Sequence, residues 1–237
     1  MNMRILVALL FCIGASASSA QEATYRVVIE GLWNDSQSNP YPASAHFTDF
    51  YGVNHSSSAL LWKAGELASR GIEDVAEIGV TSSLEFEVNQ LQQAGLAGNA
   101  IRLSSLFNLP NSTQTTIRVS VDKSRVSLIS MVAPSPDWFV GISGVDLRSS
   151  NGWRSVLTLS LVPYDAGTEE GNQFSLFNAA TVPAEPIERV GNDSPFLQTN
   201  PVLARVRFEL LESDPEPTEE ISSAAVSAVI SQLLLSD

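Results

Sequence analysis

Apolar positions recur along this chain with two periods, and the two-residue period dominates. Tyr25, Val27 and Ile29 alternate with Arg26, Val28 and Glu30 across Thr24–Glu30, which predicts a strand ended by Gly31-Leu32-Trp33. Thr116–Val121 (TIRVSV) alternates in the same way, and Asp122-Lys123-Ser124 supplies a hairpin turn into a strand over Val126–Val132 (VSLISMV). Phe139–Val145, Val156–Val162 (VLTLSLV) and Leu203–Leu210 (LARVRFEL) read as further strands, and His46-Phe47-Thr48 as a short one. Helical spacing is confined to the first half. Within Asn54–Gly79, Leu61, Ala64, Leu67 and Ala68 fall on one face, with Ser57 or Ser58 as N-cap and Gly71 as C-cap. Glu73–Glu77 reads as a second short turn or helix, and Ser82–Gly95 as a helix around Leu84, Val88 and Leu91. Asn34–Ser44 and the proline-bearing Phe174–Pro201 read as loops, the second wrapping the outside. This order predicts a mainly β fold, an antiparallel β-sandwich with a few short helices in its crossover segments.

The ends of the chain differ in composition from its middle. Met1–Ala20 has a basic Arg4, an apolar core at Ile5–Ile13 and small residues at Ser18-Ser19-Ala20, the parts of a secretory signal cleaved near Ala20. The apolar run is too short to span a bilayer. Cys12 is the sole cysteine and leaves with that segment, so the exported chain has no disulfide and relies on burial for its stability. Residues 21–211 then form one sandwich domain, and 212–237 an acidic linker (ESDPEPTEE) followed by a short apolar tail at Ile221–Leu235, read either as a helix packing back or as an attachment segment. The net charge is −13, and loss of Arg4 takes it to −14. Such a surface attracts cations and disfavours nucleic acid and anionic membranes.

Two acidic stretches carry the candidate chemistry. Pro134-Ser135-Pro136-Asp137-Trp138-Phe139-Val140-Gly141 sets Asp137 between two prolines that restrict the backbone and an aromatic–apolar run. Pro163-Tyr164-Asp165-Ala166-Gly167-Thr168-Glu169-Glu170-Gly171 follows the strand Val156–Val162. If Phe139–Val145 and Val156–Val162 form a hairpin, Asp137 and Asp165 share one end of a sheet, and Gly167 lets Glu169 turn inward. Three converging carboxylates make a hard-oxygen site suited to Ca²⁺ and next to Mg²⁺. Without a cation they repel, and at least one pKa rises. The alternative is that all three are separate turn residues satisfying backbone groups. Other site signals are sparse. His46 and His55 are the two histidines, and no nucleophile elbow, HExxH or phosphate loop is present. Trp33, Trp62, Trp138 and Trp153 read as packing residues.

PSPDWFVG, followed by Asp146-Leu147, Trp153 and P-x-DAGT-E-x-G, resembles the spondin domain, the N-terminal module of F-spondin and mindin. Tyr25–Trp33, His55, Trp62, Gly65, Ala68–Ile72 and Ala76–Gly79 extend the likeness over roughly Ala23–Leu211. The resemblance implies a C2-like variant of the β-sandwich with Ca²⁺ held in loops at one end, Asp137 and Asp165 as ligands, and Glu169 where animal members usually carry a second aspartate. Arg148 stands where those members often have cysteine. The resemblance further implies a secreted or periplasmic, non-enzymatic adhesion or binding module, in a bacterial stand-alone form, with an unknown extracellular protein or surface ligand as partner. Two other function classes stay open at this point: a hydrolase using His55 or His46, and a structural surface or biofilm component attached by Ile221–Leu235.

Overall fold

The computed structural model describes residues 21–215; the expected signal at 1–20 and the tail at Ile221–Leu235 lie outside them. Two antiparallel sheets form the sandwich. The smaller is built from β1 (Glu22–Gly31), β5 (Asn111–Ser120), β10 (Val156–Leu161) and β13 (Ala204–Ser213), in the order β10-β13-β1-β5. The larger holds β3 (Phe50–His55), β4 (Ala97–Leu103), β6 (Arg125–Ala133), β7 (Trp138–Asp146), β11 (Pro163–Asp165) and β12 (Glu188–Arg189), in the order β12-β11-β7-β6-β3-β4, with β2 (His46–Phe47) pairing on β6. A two-stranded ribbon, β8 (Arg148–Ser149) with β9 (Gly152–Trp153), completes the strands. Two helices, α1 (Arg70–Ile78) and α2 (Ser82–Gln93), cover the outer face of the larger sheet. The sandwich expected from the alternation is the fold observed. Among the described residues no helix is long and apolar enough to cross a membrane.

Burial explains which strands showed their period. β1 faces the core on one side and water on the other, so Tyr25, Val27 and Ile29 are buried in the clean alternation that marks a half-buried strand. β6 is covered on both faces, by the smaller sheet and by α1, and all but its first residue are buried. Leu128 and Val132 join the inter-sheet core while Ile129 joins the layer beneath the helices.

Several sequence expectations are corrected. Asn54 and His55, the expected entry to the helical stretch, instead end the strand Phe50–His55, which is buried along its whole length and so lacks a polar alternate face. The helix begins at Arg70, where the Ser69 hydroxyl accepts from the Ile72 amide at 3.3 Å and Glu87 takes the Gly71 amide at 2.7 Å. Gly71 is therefore not a C-cap. It is where α1 and α2 touch: a Cβ there would stand 2.6 Å from the Leu84 Cα. The left-handed cap belongs to Gly79. Leu61 and Trp62 are buried from a loop instead of a helix face, and Leu67 is exposed. At the C-terminal end, β13 runs past Leu211, with Thr24 opposite Glu212 and Ala23 opposite Ser213, so the first residues assigned to a linker are sheet.

A further correction bears on the site. β7 and β10 do not form a hairpin. β10 pairs with β13 in the smaller sheet, the chain changes sheets at Val162, and β11 pairs antiparallel with β7. The loop after β11 does not merely wrap the outside. Phe174 and Phe196 enter an aromatic cluster with Trp33 and Trp138, at ring-centroid distances of 5.3–6.2 Å.

Candidate functional site

Asp137 occupies the last position of the turn between β6 and β7, and several bonds fix that turn. The Ser135 hydroxyl accepts from the Trp138 amide at 3.1 Å, and the Asp137 carbonyl accepts from the Ala166 amide at 3.1 Å. The side chain is 0% exposed. One carboxylate oxygen, Oδ2, accepts from the Thr168 amide (2.7 Å), the Thr168 hydroxyl (3.2 Å) and the Glu169 amide (3.1 Å). The other, Oδ1, is buried with no hydrogen-bond partner. Burial pushes the Asp137 carboxyl above its ordinary range, and the donors from Thr168 and Glu169 pull against that rise.

Asp165 arrives beside it through strand pairing. β11 sets Pro163 opposite Val140, Tyr164 opposite Phe139 and Asp165 opposite Trp138, the residue next to Asp137. The two carboxylates therefore meet at the end of the larger sheet, by a route other than the expected hairpin. Asp165 Oδ2 accepts from the Trp138 indole N–H at 3.1 Å and Oδ1 from the Gly167 amide at 2.8 Å. Its pKa is pushed up to about 6, first by burial and then by the charge of Asp137. The repulsion anticipated between converging carboxylates is thus present. Gly167 makes the turn that returns the chain to Asp137. Its φ is +72°, and a Cβ would stand 2.2 Å from the Glu185 carbonyl oxygen, so only glycine fits without displacement.

Glu169 is placed differently from the other two. Its amide serves Asp137, but its carboxylate turns to Asn178, whose Nδ2 donates to Oε2 at 3.1 Å. Burial raises its pKa, the Asn178 bond eases the rise, and the charges of Glu77 and Asp137 add to it. Glu77 joins the same electrostatic group from the last turn of α1. Burial raises its carboxyl, a bond from Thr168 relieves it, and Glu73 and Asp137 raise it again. Pattern reading missed Glu77, Thr168 and Asn178 as neighbours of the carboxylates. Glu77 lies in the Ala76–Gly79 run, but nothing in that run indicates that the helix end faces the β11 loop. Among the described residues, no three His, Cys, Asp or Glu side chains are arranged closely enough to hold a metal ion with the side chains as they stand.

The histidines do not form an open catalytic site. His55 is 0% exposed. Its Nδ1 faces the Ser56 carbonyl at 2.8 Å, which only accepts, so Nδ1 carries the hydrogen and Nε2 accepts from the Ser127 hydroxyl at 2.8 Å. Ser127 in turn accepts from the Gly144 amide at 2.8 Å and is itself fully buried. This serine–histidine pair ties β3, β6 and β7 together out of reach of a substrate. His46 lies at the surface, stacked on Phe107 at 4.5 Å with Nδ1 against the Ser44 carbonyl.

Comparison with known proteins places this architecture. Residues 23–205 match the family model described as Spondin_N. The chain is 32% identical over 220 residues to spondin-2 of Homo sapiens, a match covering 85% of this chain and 66% of that protein. It is 30% identical over 224 residues to spondin-2 of Rattus norvegicus, with the same coverage. It is 34% identical over 176 residues to spondin-1 of Rattus norvegicus, covering 70% of this chain and 21% of that protein. The chain thus matches just under two thirds of the length of spondin-2 and a much smaller part of spondin-1.

Proposed function

The chain belongs to the Spondin_N family, and from that premise we propose that it is a secreted, non-enzymatic binding and adhesion module whose loop end is stabilised by a calcium ion. One observation carries the metal reading. Asp137 Oδ1 is a buried carboxylate oxygen with no partner, next to a second carboxylate whose pKa is raised by burial and then by the charge of the first. An uncompensated buried anion is unfavourable, and a cation relieves both its desolvation and its repulsion. The donor set is all oxygen, which fits Ca²⁺ before softer metals. Asp137 and Asp165 are the firmer ligands. Glu169 joins them by giving up its bond to Asn178, and its extra methylene relative to aspartate gives it the length to reposition. The ion supplies fixed positive charge at the β6–β7 and β11 loops, and the chain's own residues set where that charge lies.

The binding role follows from family membership together with an acidic exported surface; the partner is an extracellular protein or surface ligand. Against the hydrolase alternative, His55 has both nitrogens engaged in a buried structural pair, and His46 is stacked on Phe107 with its Nδ1 against the Ser44 carbonyl. Thermal unfolding of the purified protein in calcium and in chelator tests the metal reading. Calcium at 100 times its dissociation constant stabilises by about 2.7 kcal/mol. Asp137→Ala removes the difference between the two conditions. Equal melting temperatures in calcium and chelator for the unmodified protein would refute the metal reading.

A further inference from the structure

The smaller sheet ends on one side in an unpaired strand edge. β5 pairs with β1 through ten residues, from Glu22 opposite Ser120 to Gly31 opposite Asn111, without a bulge. Among the described residues no strand lies on its other side. The Val121 amide donates to the Gln21 carbonyl at 3.0 Å and continues the ladder by one pair. Backbone groups along a strand point alternately towards and away from a given neighbour. The odd-numbered residues of β5 therefore bond to β1, while Ser112, Gln114, Thr116, Arg118 and Ser120 turn their amides and carbonyls outwards. The Ser112 amide alone of these has a side-chain partner, the Asn111 oxygen at 2.8 Å. Open edges are ordinarily protected by proline, lysine, inward-pointing charge or a bulge. β5 (NSTQTTIRVS) has no proline, lysine, acidic residue or bulge, and Arg118 is its one charge although the chain carries 26 acidic residues. The edge strand of the larger sheet is better guarded. In β4 the Gly98 carbonyl accepts from Gln92 Nε2 at 2.6 Å, and the pairing with β3 slips between Val53 and His55.

We infer that β5 is a dimerisation edge: two copies of the chain pair their β5 strands antiparallel about a twofold axis through Thr115, joining two four-stranded sheets into one. The strand complements itself in this register. Thr116 falls opposite Gln114 of the partner copy and Arg118 opposite Ser112, so residues with outward backbone groups meet each other, and Thr115 meets its own copy between them. Ile117 and Val119 are buried, so the even-numbered side chains share the exposed face. On that face the register with β1 sets the charges. Glu30 lies opposite Ser112 within its own chain. The row across the junction therefore runs from Arg118 to Ser112 and Glu30 of the partner copy. Arg118 and that Glu30 stand two strand spacings apart, about 10 Å between Cα atoms, with a small serine between them. Their long side chains meet over it, and the twofold axis makes the ion pair twice. Arg118 has only a loose partner in its own chain, Glu22 at 3.7 Å, and Glu30 holds Arg205 through Oε2 at 3.0 Å, leaving Oε1 to accept. An axis through Thr116 would instead bring Arg118 into line with Val28, which lies opposite Gln114. This charge match selects a second copy of the chain as the occupant, in the closed twofold arrangement commonest among oligomers.

Sedimentation equilibrium over a range of protein concentrations tests it, with melting temperatures recorded alongside. The unmodified protein is expected to pass from monomer to dimer as concentration rises. Thr116→Pro removes an outward amide and leaves the bonds to β1 in place. It is expected to weaken dimerisation about tenfold or more while the monomer stays folded. Arg118→Glu leaves the backbone unchanged and sets like charges in line across the junction, so it is expected to weaken the dimer as well. Thr115→Cys reports the register. Cys12 is the only cysteine and lies in the expected signal, so a disulfide-linked dimer formed in oxidised glutathione joins position 115 to its own copy. Thr158→Cys, on the strand at the opposite edge of the same sheet, is the control. A protein that stays monomeric at every concentration overturns the self-pairing and leaves the edge to a strand of another protein. A dimer that neither Thr116→Pro nor Arg118→Glu weakens, or in which Thr115→Cys crosslinks no faster than Thr158→Cys, overturns it as well.

Discussion

Asp165→Asn isolates the electrostatic strain at the site. In the fold the Asp165 carboxyl is raised from 3.8 to about 6 by burial and by Asp137. Between those values the folded chain keeps a proton that the unfolded chain has lost. The sign is therefore the reverse of that for a salt-bridged aspartate. Its protonated form favours the fold at low pH, and that contribution is lost as pH rises through about 6. At about 1.4 kcal/mol per pH unit the interval bounds the effect at about 3 kcal/mol, and water reaching the partly exposed side chain lowers it to roughly 1–2 kcal/mol. Asparagine does not titrate. It also offers one acceptor where Gly167 and Trp138 supply two donors, which shifts stability by an amount independent of pH. The slope, not the offset, is the readout. Urea unfolding of both proteins in chelator, from about pH 4 to about pH 7, gives the difference in unfolding free energy. The unmodified protein should lose about 1–2 kcal/mol relative to the variant across that range, with a plateau above about pH 6. Saturating calcium should then stabilise the unmodified protein far more than the variant. A difference that stays flat with pH in chelator would refute the argument that burial and Asp137 strain this carboxylate.

Two further outcomes test the scaffold around the site. Ser127→Ala strands the Nε2 of His55 and the Gly144 amide in the interior, for a loss of about 1–3 kcal/mol on urea unfolding. Burial lowers the His55 pKa, so the unfolded chain takes up a proton there first, and its contribution to stability is present above about 6.5 and lost as pH falls below it. Gly167→Ala forces a Cβ against the Glu185 carbonyl at a positive φ; it should lose at least about 1 kcal/mol and shrink the calcium-dependent rise in melting temperature, because the amides of Thr168 and Glu169 hold Asp137 only if this turn is made.

Much of the architecture was legible because water imposes its pattern on half-buried strands. β1 and β13 each have one wet face, and their alternation places them within three residues; β5 is expected only from Thr116, because none of the residues Asn111–Thr115 is buried and no alternation marks them. β3 was unreadable for the converse reason: all six of its residues are buried, so no polar face marked it. The helix start was misplaced because Gly71 suits a C-cap as well as a close helix contact, and only the approach of Leu84 decides between them. At the site, the spacing singled out Asp137, Asp165 and Glu169, and the pairing of β11 with β7 brings the first two together. A β7–β10 hairpin is not what joins them, since sequence order does not reveal that the chain changes sheets at Val162.

The sequence by itself determined the family, the sandwich class, the acidic surface and the residue types at the loop end, because motif chemistry and strand period are local properties of the chain. Tertiary structure alone decided which carboxylates share a low-dielectric space. It brought Glu77 from a helix to the carboxylates at the loop end, folded Asn178 back onto Glu169 within the loop after β11, and left Asp137 Oδ1 without a partner. The physical reason is that burial and electrostatic coupling depend on distance through space, and chain order constrains that distance only within one element or turn.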